Sequence, residues 1–315
     1  MYLKRILRII SLYVFVYIVF SLIVLLTLFR NFEPLSAVNK FSTKEKCSCL
    51  LHSPIVGLES NFESVTSRQD EVKYWKQINV STMSPKQIIS YFNWSNRSSC
   101  GLIHDFGGCF FSNPSGLDGQ KAVCLDTTVR PEAYKCLVYS FGINNEWSFD
   151  EALEKYGCEV FSFDPSMNET NHNHSSWIYF YNLGLSDRDY FDEASNWTLK
   201  TLSSIHQMLL PVHGSEIIDY LKIDIEFAEW NVLPQILKSG MINKVRQMGV
   251  EFHLRNDSSL EHYRKLVGIV KSIEDAGMIR FDSKYNPWSI ANISSLNKYE
   301  GPSAFEIAFF QILPK

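Results

Sequence analysis

The sequence predicts an α/β fold in which a doubly wound, mostly parallel sheet is preceded by a single transmembrane helix and closed by a final antiparallel hairpin. Three observations predict it. An uncharged apolar run lies near the amino terminus, strand-like apolar runs alternate with amphipathic helical segments from Cys100 onward, and the last two strand-like runs have no helix between them.

The apolar run is Ile9 to Phe29, "IISLYVFVYIVFSLIVLLTLF". At about 1.5 Å per residue it is long enough to cross a hydrocarbon core of about 30 Å. It also exceeds the apolar region of a cleaved signal peptide. Lys4, Arg5 and Arg8 precede it against Arg30 alone behind it, so the positive-inside rule expects a cytoplasmic tail over residues 1–8, a signal anchor over 9–29 and a luminal body. The expected placement is therefore a single-pass type II membrane protein of the secretory pathway, in the Golgi. Sequons at Asn79, Asn93, Asn96, Asn168, Asn173, Asn196, Asn256 and Asn292 fit a glycoprotein in such a compartment.

The chain of 315 residues carries a formal charge of −4, and the part beyond Arg30 is more acidic still, which argues against a nucleic-acid partner. Seven cysteines fit an oxidising compartment. Cys100, Cys109, Cys124 and Cys136 cluster and are expected to form two staples, while Cys47 and Cys49 are candidates for a disulfide-linked homodimer.

Residues 30–99 read as a polar luminal stem. Helical spacing at Val72, Trp75 and Ile78, and again at Ile88, Ile89 and Phe92, expects the nearer part to pack on the body. The body, residues 100–315, begins its alternation with "CLVYSF", a buried strand. Ser148 and Glu151 then form a capping-box pattern for a helix that Gly157 ends. "CEVFSFD", "SWIYFYNLGLSD" and "IIDYLKIDIE" are the next strands, the last preceded by a helix around Leu202 to Leu209. "AEWNVLPQILKSG" reads as a helix kinked by Pro234, and "KVRQMGVEFHL" as a fifth strand. Ser258 with Glu261 caps a helix running to Gly277. "MIRFDS" and "SAFEIAFFQI" close the sheet.

In a Rossmann-like sheet, ligands sit beyond the carboxyl ends of the strands at the point where strand order reverses. Gly142 follows the first strand, where a missing Cβ permits close approach, and Asn144 and Asn145 tolerate left-handed turns. Asp164 ends the second strand, at the spacing of a carboxylate that accepts hydrogen bonds from ribose hydroxyls. No G-x-G-x-x-G or Walker pattern accompanies Gly142, so the loop is unsuited to a pyrophosphate. S-adenosylmethionine, with a cationic sulfonium and no phosphate, suits this mouth and its nearby Glu146. Asp187, after the third strand, is the candidate for the adenine edge. Asp224 and Glu226 after the fourth strand, and Glu251 and His253 ending the fifth, are each expected to share a face by period-two geometry. Asp224, Glu226 and His253 are the candidate catalytic residues. Asp224, Glu251 and His253 are the candidate ligands of Mg²⁺ or Mn²⁺.

These residues resemble the methyltransferase-like protein 24 family. The resemblance is carried by "DGQKAVCLD" (Asp118 to Asp126), the long stretch Cys136 to Met167, "YLKIDIEFAEWNVLPQIL", "VRQMGVEFHL", "NPW" (Asn286 to Trp288) and "EIAFF". It implies a class I methyltransferase fold with Gly142 and Asp164 at the S-adenosylmethionine site. "LKIDIE" with "EFH" is also similar to FkbM-type methyltransferases, whose motif has glycine where Phe227 stands.

The expected function is a luminal, membrane-anchored O-methyltransferase acting on a sugar hydroxyl of a glycan or another small hydroxyl acceptor, with Asp224 or His253 taking the proton. Two alternatives stand beside it. One is a Golgi type II glycosyltransferase, with Asp187 and Asp189 or Asp224 and Glu226 holding a metal and nucleotide sugar. The other is a methyltransferase-fold binding protein without turnover.

Overall fold

The computed structural model describes residues 68–112 and 115–313. Eight strands form the main sheet and are numbered here in chain order: β1 (Cys136–Phe141), β2 (Cys158–Phe163), β3 (His172–Asn173), β4 (Ile178–Tyr181), β5 (Ile218–Ile223), β6 (Val245–His253), β7 (Ile279–Tyr285) and β8 (Ala304–Phe310). Six α-helices accompany them: α1 (Arg68–Gln77), α2 (Pro85–Asn93), α3 (Ser148–Tyr156), α4 (Leu202–His213), α5 (Glu229–Lys238) and α6 (Leu260–Asp275).

The spatial order is β7-β8-β6-β5-β1-β2-β4-β3. From β6 through β4 the neighbours are parallel, whereas β8 runs antiparallel to both β6 and β7, and β3 antiparallel to β4. The sheet is thus mixed, which corrects the expectation of a mostly parallel one. The last two strands form the expected antiparallel pair at the sheet edge, with β7 outermost, but no tight turn joins them. A separate two-stranded ribbon, Ile290–Ile293 with Tyr299–Pro302, separates β7 from β8. That connection lets β8 enter between β6 and β7 instead of turning tightly back along the edge.

β1 is buried at every position because its two faces meet different layers. Leu137, Tyr139 and Phe141 join the largest core cluster with Leu209 of α4, Val232 of α5 and Val267 of α6. Cys136 and Val138 face Phe149 and Leu153 of α3. On this second face a short antiparallel pair, Ile103–Phe106 with Lys121–Cys124, lies beside α3. Alternate residues of one strand can serve both layers because side chains point to opposite faces with period two. The described part of the expected stem packs on the body: Trp75, Ile88, Tyr91 and Phe92 are buried in the largest cluster.

Several local expectations are corrected. Ser148 does not close a capping box, because its Oγ accepts from Gly108 N at 2.6 Å. Glu146 Oε1 accepts from Ser148 N instead. Ser259, not Ser258, caps α6 by accepting from His262 N. Cys100 pairs with Cys124, but Cys136 pairs with Cys158, its register partner across β1 and β2, so the staples extend beyond the cluster of four.

The expected anchor at Ile9–Phe29 and the cysteines Cys47 and Cys49 lie outside the described residues. Among the described residues no helix is long and apolar enough to cross a membrane, and the two disulfides between described cysteines lie within one chain. The type II anchor, the luminal Golgi placement and the disulfide-linked homodimer thus find no support among the described residues. The Golgi glycosyltransferase alternative, argued from the anchor and stem, and the sugar-hydroxyl acceptor, argued from the compartment together with the FkbM-like motifs, have no support from placement among the described residues.

Candidate active site

Strand order reverses between β1 and β5, whose carboxyl ends carry Gly142 and Asp224. Gly142 sits at φ +81°, and a Cβ there would collide with the Asp224 carbonyl oxygen. The close approach that glycine permits is therefore made by the protein's own β5 backbone. Lys222, buried, donates from Nζ to Gly142 O at 2.5 Å and so holds the turn from below. Asn144 and Asn145 follow at φ 45° and 61°, in the left-handed region that asparagine tolerates.

Asp164 is 5% exposed, and both its oxygens are engaged. Oδ2 accepts from Ile143 N at 2.9 Å and Asn144 N at 2.8 Å, while Oδ1 accepts from Ser166 N and Oγ. It latches the Gly142 loop to the end of β2. Asp187 is exposed and accepts from Ser186 Oγ, and no hydrogen bond or ion pair joins it to Gly142, Asp164 or Asp224.

The other candidates converge. Glu251 and His253 stay on β6 in register with Glu306 and Ala304 of β8. The expected strand geometry for Asp224 and Glu226 does not hold, because β5 ends at Ile223. Glu226 and Phe227 then adopt φ of 48° and 71°, left-handed at two successive residues with a Cβ. That turn carries the Glu226 carboxylate to 3.6 Å from His253 Nε2. Phe227, standing where the FkbM-type motif has glycine, lays its ring 5.3 Å from the His253 ring, with the Arg255 guanidinium on it at 4.5 Å.

Three polar residues at the site have no signal in the motif spacing. Lys121 is 2% exposed and sets its ammonium 3.4 Å from Asp224, 3.9 Å from Glu251 and 2.5 Å from Glu306. Glu229, on the first turn of α5, accepts from the His253 backbone N at 2.8 Å and lies 3.2 Å from its Nδ1. Asn286 donates to Glu251 Oε1. Lys121, Glu229 and Asn286 stand inside quoted stretches, "DGQKAVCLD", "YLKIDIEFAEWNVLPQIL" and "NPW", and that membership was the signal available for them.

Electrostatics divides the group. Burial opposes charge on Lys121, yet Glu306, Asp224 and Glu251 raise its pKa well above the ordinary lysine value. Burial pushes Asp224 up, but Lys121 and Lys222 outweigh it and hold the carboxylate below its usual range. Glu251 is raised by burial and by the neighbouring Glu306 and Asp224, with Lys121 opposing. Burial lowers His253, and Glu229, Glu226 and Asp224 more than offset this. Ligand atoms of Asp224, Glu226 and His253 lie within 4.8 Å of one another, as do those of Asp224, Glu251 and Glu306. Asp224 therefore belongs to two trios of metal-ligand spacing.

A β1–β5 reversal with acidic strand ends, and an antiparallel strand set between β6 and β7, make this an α/β protein of methyltransferase-like fold. The family model described as "Methyltransferase domain" matches residues 73–295, and the chain belongs to that family as a methyltransferase-type enzyme.

Two curated relatives, both described as "Probable methyltransferase-like protein 24", are each 29% identical: one from Homo sapiens over 140 residues and one from Rattus norvegicus over 139. Each match covers 42% of this chain and 38% of the relative, so the chain spans well under half the length of these relatives. Among solved structures, the methyltransferase FkbM from Methylobacillus flagellatus is similar with a TM-score of 0.36 and 11% identity, over 59% of this chain and 46% of that one.

Proposed function

We propose that the chain binds S-adenosylmethionine over the Gly142–Glu146 loop and transfers its methyl group to an acceptor held against Asp224, Glu226 and His253. The observation that carries this reading is the meeting of Gly142 and Asp224 at the strand-order reversal, the place where open α/β sheets bind ligands. The loop has left-handed asparagines and no glycine-rich phosphate cradle, which suits a cofactor without phosphate. The carboxyl groups of Asp224 and Glu226 give this mouth an acidic character that complements the cationic sulfonium. The Asp164 latch shapes the loop, and a ribose would share an oxygen already engaged by Ile143 or Ser166.

Bound over this loop, S-adenosylmethionine would supply an electrophilic methyl group to the acceptor. Asp224 and His253 would line the side on which the acceptor's proton leaves. Most of the rate would come from alignment of the two reactants and from fixed charges around them.

Calorimetric titration of the full chain with S-adenosylmethionine tests the reading. Wild type is expected to bind, and Asp164→Ala, which frees the loop, to lose at least tenfold in affinity. A folded wild-type protein that binds no S-adenosylmethionine would sink the proposal.

A further inference from the structure

The two trios that share Asp224 are not equivalent. In the trio with Glu251 and Glu306, the Lys121 ammonium already supplies the positive charge, at 2.5 Å from Glu306 and 3.4 Å from Asp224. A second cation there would face that ammonium at short range in a buried setting, where like charges repel strongly. In the trio with Glu226 and His253, Lys121 reaches only the shared Asp224, through Oδ2.

His253 is 7% exposed, and among the described residues its Nε2 makes no hydrogen bond. The nearest carboxylate oxygens, Glu226 Oε2 at 3.6 Å and Glu251 Oε1 at 3.7 Å, are too distant for one. Ligand atoms of Asp224, Glu226 and His253 lie within 4.8 Å of one another, the spacing of groups arranged around a common centre. On the other side of the ring, Glu229 is fully buried and holds both the backbone N and Nδ1 of His253 through one oxygen. A metal-ligating histidine characteristically donates its second ring N–H to a carboxylate in this manner, which orients the ring and makes the free nitrogen a better donor. The left-handed turn at Glu226 and Phe227 then brings in a carboxylate whose side chain is otherwise 78% exposed.

We propose that Asp224, Glu226 and His253 form a divalent-cation site, with Glu229 as the residue that positions His253 from behind. Two carboxylates and an imidazole, without a thiolate, suit Mn²⁺ or Mg²⁺. The exposed Glu226 side leaves coordination positions open to water or to an oxygen of the acceptor. A cation there would act as a Lewis acid on the acceptor side of the site. That role rests on the methyltransferase reading, whereas the existence of the site does not.

The test is a titration of the full chain with Mn²⁺, followed by the loss of the free-ion electron paramagnetic resonance signal. Circular dichroism would verify folding, and S-adenosylmethionine calorimetry would be run on the same samples. One Mn²⁺ per chain is expected. Glu226→Gln and His253→Ala should each weaken it more than tenfold, Glu229→Gln by about 10- to 100-fold, and Glu306→Gln by less than threefold.

Absence of Mn²⁺ binding in a folded protein that binds S-adenosylmethionine would overturn the cation site and leave the methyltransferase reading intact. Loss of binding in Glu306→Gln but not in Glu226→Gln would overturn the assignment of ligands. Mn²⁺ binding with the expected variant pattern, in a protein that binds no S-adenosylmethionine, would support the site while removing its proposed catalytic setting.

Discussion

Lys121 Nζ lies 3.4 Å from Asp224 Oδ2, although the two residues are 103 positions apart in the chain. The short strand Lys121–Cys124 delivers this ammonium beneath the end of β5, where it also meets Glu306. Removing it leaves carboxylates in a buried setting without their counter-charge. Lys121→Met is expected to cost about 3 kcal/mol of stability, the lower end of what breaking a buried ion pair costs. Urea denaturation measures it. An unchanged midpoint would show that the ammonium is not the partner these carboxylates need.

Gly142 is the second point of control. Gly142→Ala places a Cβ against the Asp224 carbonyl at φ +81°, whereas Gly277→Ala, at φ +105°, meets open space. Both carry the left-handed penalty of about 1 kcal/mol, and only the first adds a collision with a backbone that cannot rotate away. Gly142→Ala should therefore lose more stability than Gly277→Ala and also lose S-adenosylmethionine binding. Equal destabilisation by the two substitutions would contradict the close packing of β1 on β5.

The disulfide Cys136–Cys158 ties the first residues of β1 and β2, at the end of the sheet opposite the site. Its cysteines are 22 positions apart, a loop whose closure is worth about 3 kcal/mol in the chain-entropy account. The double substitution Cys136→Ala with Cys158→Ala should lower the denaturation midpoint accordingly while leaving S-adenosylmethionine affinity within twofold. A large loss of affinity would mean that the staple shapes the loop at the far end of the strands.

His213 makes folding sensitive to acid. Its Nδ1 accepts from Ser215 N, so Nε2 carries the hydrogen that reaches the Tyr139 hydroxyl at 2.7 Å. Burial and the neighbouring His206 lower its pKa to about 4, with Glu216 opposing. His206 is lowered as well, by burial and Lys244. The unfolded chain binds protons below about pH 6.5 that the folded chain refuses, so stability falls as pH drops from about 6.5 toward 4. Thermal melts across this range should show a shallower decline for His213→Phe than for wild type. Parallel declines would remove His213 as a source of the effect.

Much of the body was legible. Buried strands such as Cys136–Phe141 announced themselves because they are apolar at nearly every position. Gly142, Asp164, Asp224 and His253 were found by asking which residues follow the strands. The helix starts were harder: Ser148 and Ser258 both have the capping-box pattern, yet one serine is used by Gly108 and the cap of the other helix is Ser259. A serine oxygen goes to whichever donor the fold brings nearest, and a local pattern does not record distant donors.

The sequence by itself determined the strand and helix alternation, the chemistry at the strand ends and the methyltransferase resemblance, because these depend on residue type and on spacing within one element. Tertiary structure alone decided that β8 enters between β6 and β7, that Cys136 pairs with Cys158, that Asp164 spends its oxygens on its own loop, and that Lys121 and Glu229 stand behind Asp224 and His253. Each of these is a contact between segments far apart in the chain. Its partner is chosen by the packing of whole layers, and that packing leaves no periodic trace in the segments it joins.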